Sequence, residues 1–375
     1  MSENSVPCPV EMWLAEPPST EVQRVIDRLR RLPDARQLAV LPDVHLAADV
    51  CVGIALATAD CVYPAAVGGD IGCGMLAVAV NADAEFLASP ERAADILSEL
   101  YDRIPANKHR FAQDLPPELR DAALSCDRLE RLKRRDGAVQ LGTLGRGNHF
   151  VELQRDGENR LWLMIHSGSR GLGQAITEHH QRQCTDRGGL HGLIADEATG
   201  QAYLHDVAWA RRYAVANRLG MAQAVEALIQ THDITLDWST LIHCDHNHVA
   251  REMHRGEWVW VHRKGAMPAE DDQPGMIPGS MGTSSVHVIG RGCDAALRTC
   301  SHGAGRKLTR TAARQRSRRD LFRQMGHIWF DRRYADDLRE EAPSAYKDLR
   351  TVLRAQRDLI RIVRELHPVL VYKGR

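Results

Sequence analysis

VCVGIALATADCVYPAAVGGDIGCGMLAVAV, residues Val50–Val80, decides how this chain folds. Val, Ala, Ile and Leu dominate it, and glycines, a proline and two aspartates interrupt it. A stretch this apolar and this often broken reads as several buried strands joined by glycine turns. Helical patterns lie on either side. Glu21–Leu32 predicts a polar amphipathic helix, followed by a short apolar run, Gln37–Pro42. Pro90–Leu100 predicts a helix capped by Ser89. Asn148–Leu153 and Leu161–His166 read as two strands around a Gln-Arg-Asp-Gly-Glu-Asn turn. Leu204–Gly220 is helical, with Val207, Ala210, Tyr213, Ala214 and Asn217 at i, i+3, i+4 spacing, and Trp258–Val261 is strand-like. Thr351–Leu366 predicts an amphipathic helix striped by Val352, Leu359, Val363 and Leu366, stopped by Pro368 and followed by a short strand, Val369–Tyr372. Mixed in this way, the elements define the α/β (α+β) class. No linker or repeat divides them, so one large domain over residues 1–375 is expected.

The 375 residues are 43% hydrophobic and 26% charged, which excludes a disordered or fibrous chain. Lys and Arg (49) cancel Asp and Glu (49), so any nucleic-acid site has to be a local patch. Aromatics at 5% exclude a surface built mainly for stacking on bases. No run approaches the roughly 18–20 apolar residues of a membrane span. MSENSVPCPVEMW carries no basic-then-apolar leader pattern. Nine cysteines, odd in number and without a CxxC pair, point to a reducing compartment and a cytoplasmic protein.

The chemistry gathers around glycine-flanked histidines. Five segments set glycines against a potential metal ligand: Gly68–Gly74 with Asp70 and Cys73, Gly145–Phe150 with His149, Ile165–Gly171 with His166, Val261–Gly265 with His262, and Ser301–Arg306 with His302. Glycine allows close backbone approach and positive φ. A carboxylate, a thiolate and several imidazoles suit Zn2+, Mn2+, Fe2+ or Co2+. Taken singly, Cys73 reads as a small buried hydrophobe and Asp70 as a turn cap; the fivefold recurrence favours a built site. Gly279–Ser285 offers small hydroxyls and backbone N–H groups to a phosphate, or forms an ordinary Ser/Gly turn. It is no Walker loop, since GKS and GKT are absent. Arg306, Arg310, Arg314 and Arg318, four apart in a basic run to Arg323, would share one helical face. That face reads equally as a phosphate contact or as a solvated surface.

These motifs resemble those of the RtcB family of RNA ligases. The matching pieces are Pro42-Asp43-Val44-His45, Tyr63–Met75, Leu141–Phe150, His166–Gly171, His246-Asn247, His262–Ala266, Ile277–Thr283, Ser301–Arg306, Ala345–Asp348 and Lys373-Gly374, in the family's order. The resemblance implies a single α/β domain with a central metal cleft. It implies joining of RNA 3′-phosphate or 2′,3′-cyclic phosphate ends to 5′-hydroxyl ends, through histidine-GMP and RNA-ppG intermediates, with GTP and two Mn2+ ions. Cys73 would bridge the ions, Asp70 and His149 completing one and His166 and His262 the other. His302 would take GMP, and Asp43 would play a polar role near the RNA end. The guanylate pocket would draw on Asn148, Phe150, Glu152, Ser280, Ser285, Ala304, Gly305, Tyr346 and Lys373. Arg170 and Arg310 would meet RNA phosphates. Broken tRNA or ribosomal RNA ends would be the partners, and the protein a monomer or homodimer.

Three departures stand out. After Pro-Asp-Val-His the family's Gly- and Lys-containing turn is replaced by Leu46–Cys51, its Ile-Pro-x-Gly segment reads Ile104-Pro105-Ala106-Asn107, and the chain looks short for the family. The altered loop keeps open a protein that guanylylates 3′ ends without sealing. A non-catalytic RNA-end-binding protein predicts decayed ligands, and none is seen. A metal-dependent phosphohydrolase predicts phosphate release with no covalent GMP.

Overall fold

The computed structural model describes residues 6–374; residues 1–5, part of the amino-terminal stretch read above, and Arg375 lie outside them. Two sheets carry the molecule. The first runs Val10–Met12, Ala35–His45, Val52–Thr58, Glu257–Lys264, Asn247–His254. The second runs Leu236–Asp245, Gly74–Asp83, Arg160–Ser167, Phe150–Arg155, Ile360–Lys373, Ser285–Gly290, Pro274–Ile277, and Trp329–Phe330 adds to Ile360–Lys373 in parallel. The apolar stretch 50–80 thus supplies strands to both sheets, broken by the glycine turn at 68–74.

Strand alternation sorts the second sheet into two faces. Leu76, Val78 and Val80, Leu161, Leu163 and Ile165, and Val151 and Leu153 pack with helices Pro90–Arg103 and Ala198–Ile229. Met75, Ala77 and Ala79, Trp162 and Met164, and Phe150 turn to the other side, against Met267, Ile277 and Leu353. Each fully buried Leu, Val or Phe contributes about 1.5–3 kcal/mol, so the pattern fixes which side chains face which way. Cys73, Glu152 and His166 share the parity of the second group. The site is built on that face.

The helices have local causes. Thr20–Leu29 starts at Ser19, whose Oγ accepts the Val22 N–H at 3.3 Å. Pro90–Arg103 starts at Ser89 with proline in its first turn. The helical pattern at 204–220 extends over Ala198–Ile229. Two expectations are corrected. The tail is not a helix to residue 366: a short helix, Leu349–Ala355, gives way to the long strand Ile360–Lys373. That strand pairs with Phe150–Arg155 on one side and Ser285–Gly290 on the other, and tertiary pairing outweighs the helical stripe. Pro368 sits inside it at a register shift, where a missing N–H costs no regular ladder bond. The basic run is not one helix either. Arg310–Arg314 and Arg318–Met325 are separate, each with its own N-cap, Thr309 and Ser317.

Candidate active site

A cavity of about 330 Å³ opens beside the second sheet's inner face. The turn that feeds it is tight: Cys73 N–H donates to the Asp70 carbonyl at 3.1 Å. Gly72 holds φ +68°, and a Cβ there would lie 2.9 Å from the Arg211 backbone. At Gly168 a Cβ would come 2.1 Å from Asp70 Oδ1. Asp70 and Cys73 therefore need glycine on both sides of them.

Two sets of metal-capable donors converge here, Asp70, Cys73 and His149, and Cys73, His166 and His246, each with its atoms within 4.8 Å of one another. Cys73 is common to both. Sγ lies 3.5 Å from His149 Nε2 and 3.2 Å from His166 Nε2. His149 Nδ1 donates to the Leu144 carbonyl at 2.9 Å, and His166 Nδ1 to that of Asn148 at 3.3 Å. A carbonyl only accepts, so both rings carry their N–H on Nδ1 when neutral and leave Nε2 as a bare lone pair. The His166 and His246 Nε2 atoms face each other at 3.4 Å, and His149 Nε2 faces Asp70 Oδ2 at 2.9 Å. Lone pairs set against lone pairs and a carboxylate call for a proton or a cation between them. Asp70 Oδ1 is also buried without a partner. The donor set fits divalent metal.

The protonation states agree. Burial holds His166 and His246 well below the ordinary imidazole range, each helped by the other histidines around it. Burial opposes ionisation of Asp70, but the His149 hydrogen bond and charge bring its pKa down to about 2. Without a cation, burial and the Asp70 charge push the Cys73 thiol up; a bound divalent ion inverts that balance and takes the thiolate.

His302 follows the strand Thr299–Ser301 and lines the same cavity. Asp43 Oδ2 accepts its Nδ1–H at 2.7 Å and its backbone N–H at 3.2 Å. Asp43 is fully buried, and Lys347 Nζ donates to the carbonyls on either side of it, Pro42 at 3.0 Å and Val44 at 2.9 Å. His302 Nε2 is the ring nitrogen that Asp43 leaves free. Next to it lie Asn148, Phe150, Glu152, Ser280, Ser285, Ala304, Gly305, Tyr346 and Lys373, all on the cavity wall. Lys373 Nζ donates to Glu341 at 3.1 Å and to the Asn148 carbonyl at 3.3 Å. Tyr346 also donates to Glu341, which ties these two residues together. Burial lifts Glu152 to about 7, against the pull of Gln154 and Lys373.

The structure does not bring His262 to the metal donors. Its Nε2 accepts the Tyr63 N–H at 2.9 Å and its Nδ1 donates to the Leu56 carbonyl at 3.2 Å, so both nitrogens are spent on the first sheet. It shares a strand face with cavity-lining Lys264, but about 6.6 Å farther along. His246 takes the place, at the crossing between Leu236–Asp245 of one sheet and Asn247–His254 of the other. The signal for it lay in Cys244-Asp-His-Asn-His248, a dense ligand-type run. Arg170 stands beside Asp70 but spends its guanidinium on Thr143 and the Ala106 carbonyl. Of the basic run, Arg306 is tied to Glu341, Arg314 to Glu340 and Arg318 to Asp336. Arg310 is exposed at the cavity, and among the described residues no ion pair holds it.

The family described as "tRNA-splicing ligase RtcB" matches residues 26–125 and 118–374. An "RNA-splicing ligase RtcB" of Escherichia coli K12 is 34% identical, with 98% of this chain and 97% of that protein covered. "RNA-splicing ligase RtcB2" of another E. coli strain is 31% identical over 92% of this chain and 89% of its own length. A Mycobacterium tuberculosis "RNA-splicing ligase RtcB" is 34% identical over 68% of each. A likeness of this breadth to named ligases defines the class: the protein is an enzyme, a ligase. The chain belongs to the RtcB family. It covers nearly the full length of its E. coli K12 relative, but the alignment runs over 403 positions against the 375 residues of this chain, so gaps fall inside it.

Proposed function

We propose that the protein seals RNA, joining 3′-phosphate or 2′,3′-cyclic phosphate ends to 5′-hydroxyl ends with GTP and two Mn2+ ions. The observation that carries this reading is the Asp43–His302 pair. It fixes the imidazole through Nδ1 and turns Nε2 to a cavity already walled by Glu152, Lys373 and Tyr346. His302 Nε2 attacks the α-phosphorus of GTP, and pyrophosphate leaves. Asp43 fixes the ring and balances the charge on it. The RNA 3′-phosphate then takes GMP from His302, giving RNA-ppG. The 5′-hydroxyl attacks that end and GMP departs. Cyclic ends are opened by water first. Asp70, Cys73, His149, His166 and His246 would hold the metal, which supplies charge neutralisation at phosphate oxygens when bound. Glu152 would accept guanine N–H groups, and Arg310 would meet RNA phosphate.

Broken tRNA and ribosomal RNA ends are substrates of this chemistry. All nine cysteines are free, which suits a reducing cytoplasm. No helix among the described residues is long and apolar enough to cross a membrane. A second reading, guanylylation without sealing, draws on the loop at 46–51. It joins the cavity-lining residues His45 and Val52, with an exposed Leu46 and neither glycine nor lysine.

The test is incubation with α-labelled GTP and Mn2+, followed by a denaturing gel. Covalent label is expected in the wild type and absent from His302→Ala. Label retained in that variant, or none in a folded, metal-loaded wild type, removes the reading.

A further inference from the structure

We infer that His45 is the base that accepts the 5′-hydroxyl proton in the sealing step; the inference rests on the ligase reading. His45 ends the strand that carries Asp43 and lines the same cavity as His302. Its Nδ1 donates to the Asp43 carbonyl at 2.9 Å, which leaves Nε2 without its proton in the neutral ring. Among the described residues no partner engages Nε2. The ring lines the cavity with Val52, Lys264 and Gly265 and is not among the clustered metal-capable donors.

The charged and titratable groups around it come from every neighbouring segment. Asp43 lies on its own strand, His302 follows Thr299–Ser301, Lys347 precedes Leu349–Ala355, and Lys264 ends Glu257–Lys264. Burial lowers the His45 pKa; the Asp43 carbonyl and carboxylate oppose this, and His302 and Lys347 add to it. The ring is therefore neutral at pH 7 and able to take a proton.

In the step, the 5′-oxygen forms its bond to the 3′-phosphorus of RNA-ppG as its proton moves to His45 Nε2. The phosphoanhydride bond to GMP breaks and GMP leaves with the electron pair. The imidazolium then returns its proton to water. Guanylylation of His302 and formation of RNA-ppG do not need this base, so the two halves of the reaction separate.

His45→Asn keeps an amide N–H for the Asp43 carbonyl and removes the base. It is measured beside His45→Ala in two assays: covalent GMP labelling, and single-turnover sealing of preformed RNA-ppG to a 5′-hydroxyl strand from pH 5.5 to 8.5. Wild-type sealing should slow toward acid. His45→Asn should label with GMP at the wild-type rate, seal roughly 10²–10⁴-fold more slowly, and lose the acid limb. Full-speed sealing by His45→Asn overturns the inference, as does equal loss of labelling and sealing, which would make His45 structural. A wild type that takes no GMP label removes the ligase reading and this inference together.

Discussion

Glu152 is a buried carboxylate on the cavity wall, and burial lifts its pKa from 4.5 to about 7. A raised acid binds its proton more tightly in the folded state. Its contribution to stability is therefore full at low pH and is lost as pH rises from about 4.5 through 7, a ceiling of roughly 3 kcal/mol. Glu152→Gln should flatten the stability-pH curve in that window, as read by urea unfolding. In the proposed guanylate pocket the same carboxylate would have to ionise to accept two guanine N–H groups. GTP affinity should strengthen as pH rises toward 7 and become weak and pH-independent in Glu152→Gln, as measured by calorimetry from pH 6 to 8. Lys347 acts one step removed, bracing both carbonyls around Asp43. Hydrogen bonds to charged groups contribute about 1.5–3 kcal/mol. Lys347→Met should slow His302 labelling roughly 10–100-fold at saturating GTP with GTP affinity unchanged, and Lys347→Arg should recover part of it. Motifs alone brought Asp70, Cys73, His149, His166 and His302 into consideration, because glycines mark where backbone must approach a ligand. They did not separate His246 from His262. Both stand in glycine- or histidine-rich motifs, and only strand register decides which ring reaches the cavity.

At the level of elements, the basic segment shows how partners remove charges from use. A spacing of four arginines looked like one face, but Ser317 restarts the helix and Glu340, Glu341 and Asp336 neutralise three of the four. Of the four, Arg310 alone has no ion pair among the described residues, and it is the one proposed to meet RNA phosphate. Arg310→Ala should reduce the slope of log affinity against log salt by about 1, and Arg314→Ala should leave it unchanged. Filter binding of a single-stranded RNA with a 3′-phosphate from 50 to 300 mM salt, about the range where such slopes are read, measures both. The tail misled for a related reason. Val352, Leu359, Val363 and Leu366 fit a helical stripe, yet Leu366 is buried by strand pairing while Val363 is exposed. The partners that make 360–373 a strand, Phe150–Arg155 and Ser285–Gly290, are distant in sequence. The strands of 50–80 were legible because they are apolar on both faces, a pattern that depends on no particular neighbour.

For the whole molecule, the metal donors act as a joint. His166 belongs to the second sheet, Cys73 and His149 precede its strands Gly74–Asp83 and Phe150–Arg155, and His246 sits where the chain crosses into the first. An ion shared through Cys73 would tie these segments more tightly than their backbone connections do. Binding to the folded state alone stabilises it by about 2.7 kcal/mol at a metal concentration a hundred times Kd. Chelation should therefore lower the Tm of the wild type, and Mn2+ should restore it. Cys73→Ala should remove the metal-dependent rise and cut metal content at both positions, since the thiolate is common to both donor sets. His246→Ala should lose about one ion of two by elemental analysis, with part of the rise retained. His262→Ala gives the opposite pattern. It strands the Tyr63 N–H in the first sheet at a cost of about 1–3 kcal/mol, lowering Tm with and without metal while the metal content stays whole. If His262→Ala lost an ion and His246→Ala kept both, the ligand assignment would move back to His262, and the crossing between the sheets would no longer be the joint.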